Sequence, residues 1–136
     1  MHSETLFAGI AATGIKGYEP IINSPTEFQD LGARLEKHGL EMRSLYVNST
    51  LHEAAEVEKS ATRILAIAHE AKKLGTEIIV TNPAPIKWGG EEAKSDAQLE
   101  IQATALAYHS HDVEAGTPKT LSAQEAHTKS RRAFFG

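Results

Sequence analysis

The sequence predicts an α/β fold in which helices alternate with short parallel strands, and three observations carry that expectation. One unit, a capped amphipathic helix followed by a glycine and a short β-rich run, occurs three times before Asn82. The run Ile78-Ile79-Val80 is apolar without alternation, as a parallel strand covered on both faces requires. Hydrophobic residues make up 40% of the chain and charged residues 24%, a globular balance rather than a disordered one.

The first helix is expected from Ser3 to Thr13, with Leu6, Phe7, Ile10 and Ala11 on one face. Gly14 ends it and Ile15 to Glu19 follows as a strand. The second opens with Ser24-Pro25-Thr26-Glu27, where Ser24 is the N-cap, Pro25 the first helical residue and Glu27 completes a capping box. Its stripe is Phe28, Leu31 and Leu35; Gly39 stops it near Leu40, and Glu41 to Val47 is the next strand. The third runs from Thr50, with Glu53 as the box partner, to Leu74. Its apolar stripe includes Val57, Ala61, Ile64, Leu65, Ala68 and Ala71, and Gly75 leads into the strand Thr76 to Thr81. These two helices are expected to be the best formed, and Ile78 to Val80 the most buried strand. Helices alternating with such strands mean crossover connections and a parallel sheet.

A fourth unit starts alike at Ser95-Asp96-Ala97-Gln98, with Leu99, Ala103 and Leu106 at helical spacing. It then runs through Ala107-Tyr108 into His109 without a glycine, a proline or another turn signal. A strand there requires a turn, so a stretch reads as missing near Leu106.

Length and composition bound the function. With 136 residues there is room for one domain. Ile78-Ile79-Val80 is the longest strongly apolar stretch, so no membrane span is expected. The opening Met1-His2-Ser3-Glu4 shows no secretory signal, and the chain has no cysteine, which removes disulfides, thiolate metal sites and cysteine nucleophiles. A cytoplasmic location follows as an expectation. Net charge is −4, which argues against nucleic acid as a partner. From Ala115 onward Lys119, Lys129, Arg131 and Arg132 oppose only Glu125, a net +3 that leaves −7 for the rest. Residues 117–136 are therefore expected to be a basic, disordered tail behind a domain at 1–116.

Several segments together resemble the xylose isomerase-like barrel family of sugar phosphate isomerases and epimerases, which includes inosose dehydratase-like proteins. They are Gly17-Tyr18-Glu19, Ser44-Leu45-Tyr46-Val47-Asn48, Thr81-Asn82-Pro83-Ala84-Pro85, the helix around Ser95 to Ala103, and Leu106 to Glu114. The resemblance covers residues 3 to about 116 and implies a partial (β/α) TIM barrel of about four parallel strands. A full barrel takes eight strands. The chain is thus expected to be an incomplete barrel, inactive alone and able to self-associate through open barrel edges.

In such barrels catalytic groups gather at the C-terminal ends of the strands. Glu19, Asn48 and Asn82 each follow an expected strand. The resemblance implies a base or hydroxyl-binding role for Glu19 and substrate contacts for Asn48 and Asn82; the plainer readings are solvated strand ends and a rigid Pro turn. If the last strand persists, His109 and His111 project to one face at period two. Two imidazoles converging there suit a divalent metal, with Asp112 or Glu114 in support; the plainer reading is a polar turn. By resemblance His109 meets the metal (Mn²⁺, Mg²⁺ or Co²⁺) and His111 the substrate. Trp88, the only tryptophan, lies in Lys87-Trp88-Gly89-Gly90 and offers a ring to stack on a sugar or to pack under the loop. His52 reads as a surface histidine.

The implied function is metal-assisted proton transfer beside the carbonyl of a sugar or an inositol-derived substrate. The alternatives are a metal-dependent hydrolase, a dehydratase, and a non-catalytic fragment.

Overall fold

The structure, a computed structural model, describes residues 3–115, with side chains as far as residue 109. The expected tail at 117–136 lies outside the described residues. Among the described residues four helices and a two-stranded parallel sheet make a mixed α/β fold. In order they are α1 (Glu4–Ala12), a 3₁₀ turn (Pro25–Phe28), α2 (Leu31–Lys37), β1 (Ser44–Ser49), α3 (Ala54–Lys73), β2 (Ile78–Pro83) and α4 (Asp96–Ala115). No helix among the described residues is long and apolar enough to cross a membrane. The chain divides into two compact units. The first joins the residues up to Val47 with Ile67–Thr81, and the second joins Asn48–Ala66 with the residues from Asn82 on.

In the first unit local chemistry starts the helices as anticipated. The Ser3 hydroxyl accepts from the Leu6 N–H at 3.2 Å and caps α1. Phe7 points inward from α1, fully buried, with its ring edge-to-face against Tyr18 at 5.1 Å and tilted over His38 at 6.2 Å. The capping box at Ser24 and Glu27 is present, the Glu27 carboxylate accepting from the N–H groups of Asn23 and Ser24.

The helix that follows is not continuous, which corrects the expected run to Leu40. It opens as a 3₁₀ turn, breaks at Asp30 in the left-handed region (φ 59°), and resumes as α2. Asp tolerates that conformation better than most residues. At the start of α2 space is tight: a Cβ at Gly32 would lie 2.7 Å from the end of the Leu74 side chain.

Three extended segments then lie side by side, in chain order and parallel. Residues 17–22 meet β1 through bridges at Gly17–Glu41 and Ile21–Tyr46, and β1 pairs with β2. The expected first strand is reduced to two isolated bridges, and Pro20, which has no N–H to donate, lies between them. On the other side of β1 the Ile78 N–H donates to the Arg43 carbonyl and the Thr76 hydroxyl to the Met42 carbonyl. The most buried strand is β1, with Leu45 and Val47 fully buried, whereas Ile78 of β2 is 57% exposed. This reverses the expectation for Ile78 to Val80. β1 has a neighbour on each side; among the described residues β2 has one. Around β1 the first unit's core gathers Phe7, Ile22, Leu31, Met42, Ile67 and Ala71.

Glu4 ties α1 to α2. Its carboxylate receives His38 Nε2 at 2.9 Å and Lys37 Nζ at 3.1 Å, with Arg34 Nε at 3.8 Å. The His38 and then the Lys37 hydrogen bonds hold the Glu4 carboxyl below its ordinary value. A depressed folded value contributes stability above the unfolded value of about 4.3 and loses it as pH falls through the folded one. The melting midpoint by circular dichroism is therefore expected to fall less steeply below that pH in Glu4→Gln than in the parent. Parallel acid limbs in the two proteins would refute the linkage.

The second unit is organised by the ends of α3 and α4. Leu51 and Val57 pack with Ala105, and Ile101 and Leu106 close over them. The expected box at Thr50 and Glu53 does not form: α3 starts at Ala54, and the Glu53 carbonyl takes the first helical bonds from Glu56 and Val57. Thr50 is engaged elsewhere, its N–H donating to Ser60 Oγ at 3.0 Å and its carbonyl accepting from the same hydroxyl at 3.1 Å. In α4 the box is realised, Gln98 N–H donating to Ser95 Oγ and Ser95 N–H to Gln98 Oε1. The helix continues to Ala115, so the expected fourth strand at 107–114 is helix instead. Lacking a turn signal, the chain follows its local helical preference to the end of the segment.

Candidate functional site

The polar groups of the second unit collect where β1 and β2 end. Register follows from two bonds: Ile78 N–H donates to the Arg43 carbonyl and Ala84 N–H to the Ser49 carbonyl. In a parallel ladder that spacing sets Tyr46 beside Val80 and Asn48 beside Asn82. Laterally paired residues project to one face, so the two asparagines stand as neighbouring amides at the strand ends. Asn82 is exposed and Asn48 half-buried. Two adjacent amides offer donors and acceptors in pairs, which suits neighbouring hydroxyls on a polyol.

Arg63 of α3 stands behind this end. Its guanidinium donates to the Asn48 carbonyl, while its Nε is buried with no hydrogen-bond partner among the described residues. Ser60, one turn earlier, secures Thr50, so α3 fixes the chain leaving β1 at two points.

His52 corrects the sequence reading. It is 3% exposed, not a surface residue; Nε2 lies 3.6 Å from Glu53 Oε1, and Nδ1 is buried without a hydrogen-bond partner. Its place directly after Leu51, a core residue, was the available sequence signal.

The other anticipated residues are distributed differently. Glu19 belongs to the first unit, where it accepts a hydrogen bond from the Ser44 hydroxyl. It does not end a strand, because pairing continues past it to Ile22, whose N–H donates to the Tyr46 carbonyl at 2.8 Å. His109 lies on α4 with its ring edge-to-face against Tyr108 at 5.0 Å. His111 is in the same helix, and its side chain lies outside the described residues. Residues two apart on a helix point roughly 200° apart, so the shared face expected of a strand is not available to this pair. Among the described residues no three of His, Asp and Glu come together as a metal site, and no step is assigned to a metal. Trp88 is 67% exposed in the loop after β2, next to Gly89 in the left-handed region (φ 74°).

No protein-family model, no curated protein and no solved structure matches this chain. Its class is therefore defined by its own coordinates, a mixed α/β chain with a two-stranded parallel sheet.

Proposed function

We propose that this chain is a partial (β/α) barrel of the sugar phosphate isomerase and epimerase kind, which binds a sugar or inositol-derived ligand and does not turn it over alone. The supporting observation is the sheet order: three extended segments, each reached through a helix, pair in parallel and in chain order. A barrel of this kind begins that way. Asn48 and Asn82 then lie at the strand ends that carry ligand groups in such barrels. Their amides hold vicinal hydroxyls, and Trp88 supplies an apolar ring for the C–H face of the sugar.

Turnover is a separate matter. Moving a proton beside a carbonyl needs a base and an electrophile held in fixed positions at the reacting carbon. Glu19 is committed to Ser44, and His109 sits on a helix. The divalent ion and the catalytic base belong, in this proposal, to the completed barrel.

The purified chain assayed with Mn²⁺, Mg²⁺ or Co²⁺ against ketoses and inososes is expected to show no turnover and no solvent deuterium incorporation. Because Trp88 is the sole tryptophan, its emission reports ligand at this loop directly. A polyol-dependent blue shift, lost in the Asn48→Ala, Asn82→Ala double variant, is the expected result. An emission spectrum indifferent to every sugar tested would remove the binding proposal. Turnover abolished by His109→Ala would overturn the claim of inactivity.

A further inference from the structure

We infer that Arg63 is a positioning residue for Asn48: its hydrogen bond to the Asn48 carbonyl sets where the Asn48 amide stands, and so how tightly the strand ends hold a polyol. The affinity effect rests on the ligand reading above; the placing of the amide does not.

Local chemistry leaves this carbonyl to be claimed. In a parallel ladder a residue turns its N–H and its carbonyl toward the same neighbouring strand. Tyr46 turns both toward residues 17–22, donating to the Pro20 carbonyl and accepting from the Ile22 N–H, each at 2.8 Å. Asn48, two residues on, turns its carbonyl the same way. The next bond of that ladder would come from the Ser24 N–H. Ser24, however, caps the 3₁₀ turn and gives its N–H to the Glu27 carboxylate at 3.0 Å. Arg63 bonds the Asn48 carbonyl instead, from a helix position 15 residues further along the chain.

A guanidinium is always charged, so its bond to a carbonyl is stronger than one between two neutral groups. Its Nε is buried with no hydrogen-bond partner among the described residues, so the bond to Asn48 is what anchors the group. Ser60, one turn earlier on the same face of α3, holds Thr50. The main chain is thereby held on both sides of Ser49, and the Asn48 side chain takes its direction from that main chain. Without the guanidinium the half-buried Asn48 loses this bond, and the strand end turns to recover it from water, carrying the amide away from Asn82.

Two variants and two readings test this. Arg63→Met keeps an apolar stem and removes every donor; Arg63→Lys keeps a charged donor without the planar fork. Titration with myo-inositol is followed by Trp88 emission. The dissociation constant is expected to rise roughly tenfold or more in Arg63→Met, the size of a lost hydrogen bond to a charged group, and to be partly restored in Arg63→Lys. The emission shift at saturation is expected to match the parent in both.

The second reading needs no ligand. In a proton–nitrogen correlation spectrum the Asn48 side-chain amide signals, assigned by their absence from Asn48→Ala, are expected to move in Arg63→Met while those of Asn23 stay. A merely structural role would lower the melting midpoint and leave both readings as in the parent. If Arg63→Met fails to fold, Arg63→Lys is read against the parent in the same two ways. Unmoved Asn48 signals, or a parent-like dissociation constant in folded Arg63→Met, would overturn the inference. A parent that responds to no polyol removes the ligand reading and the affinity effect with it, and the Asn48 signals then decide the positioning alone.

Discussion

Phe7→Ala is expected to destabilise the first unit by about 3–5 kcal/mol, the range for removing a buried aromatic ring. Phe7 is fully buried, so the loss combines transfer of the ring with the cavity left beneath α1. Its edge-to-face contact with Tyr18 adds a geometric component that a smaller apolar residue cannot reproduce. α1 has little else to hold it down: Phe7 is its one buried residue, and the Glu4 bonds to α2 are exposed. Urea denaturation followed by far-ultraviolet circular dichroism measures the effect. Leu6→Ala is the control, one residue away and 40% exposed, with an expected change within about 0.5 kcal/mol. Equal losses in the two variants would show that α1 is anchored in some other way.

The second large effect is expected from a hydroxyl. Ser60→Ala should cost roughly 1–3 kcal/mol, because it strands the Thr50 N–H and carbonyl together. Ser60 is 5% exposed, and its Oγ meets both groups at 3.0 and 3.1 Å. Water has poor access to take its place, so the loss is that of unsatisfied backbone rather than of two surface hydrogen bonds. A local consequence follows as well: Thr50 leads directly into Leu51 and the buried His52. Lys59→Ala provides the comparison on the same helix, since Lys59 is 75% exposed and its ion pair is with Glu56. A Ser60→Ala midpoint no lower than that of Lys59→Ala would refute the structural role of the hydroxyl.

The candidate site was legible in part. Asn48 and Asn82 were recognisable because each follows a β-rich run, and a parallel ladder brings strand ends together. Arg63 was not, since a helical arginine gives no sign in the sequence that it will reach a strand carbonyl 15 residues back. His52 was misjudged as well. The one sequence signal for its burial was the apolar Leu51 before it, and the acidic Glu53 after it pointed the other way. The His109–His111 pair was read with a strand's period, although the missing turn signal before it already argued for continued helix.

By itself the sequence determined the α/β class, the helix starts at Ser3, Ser24 and Ser95, and the left-handed glycines at 14, 39 and 75. Each of these depends on groups within about one helical turn, so the information needed is contiguous in the chain. Tertiary structure alone decided that Asp30 interrupts a helix, that Thr50 gives up a cap to bond Ser60, and that β1 rather than β2 is the buried strand. Burial and pairing are set by what lies alongside. Leu45 and Ile79 are both apolar residues in β-rich runs, and the sequence does not separate them. Among the described residues β1 lies between two neighbouring segments and β2 beside one, and that difference puts Leu45 in the core while Ile79 stays only half-buried.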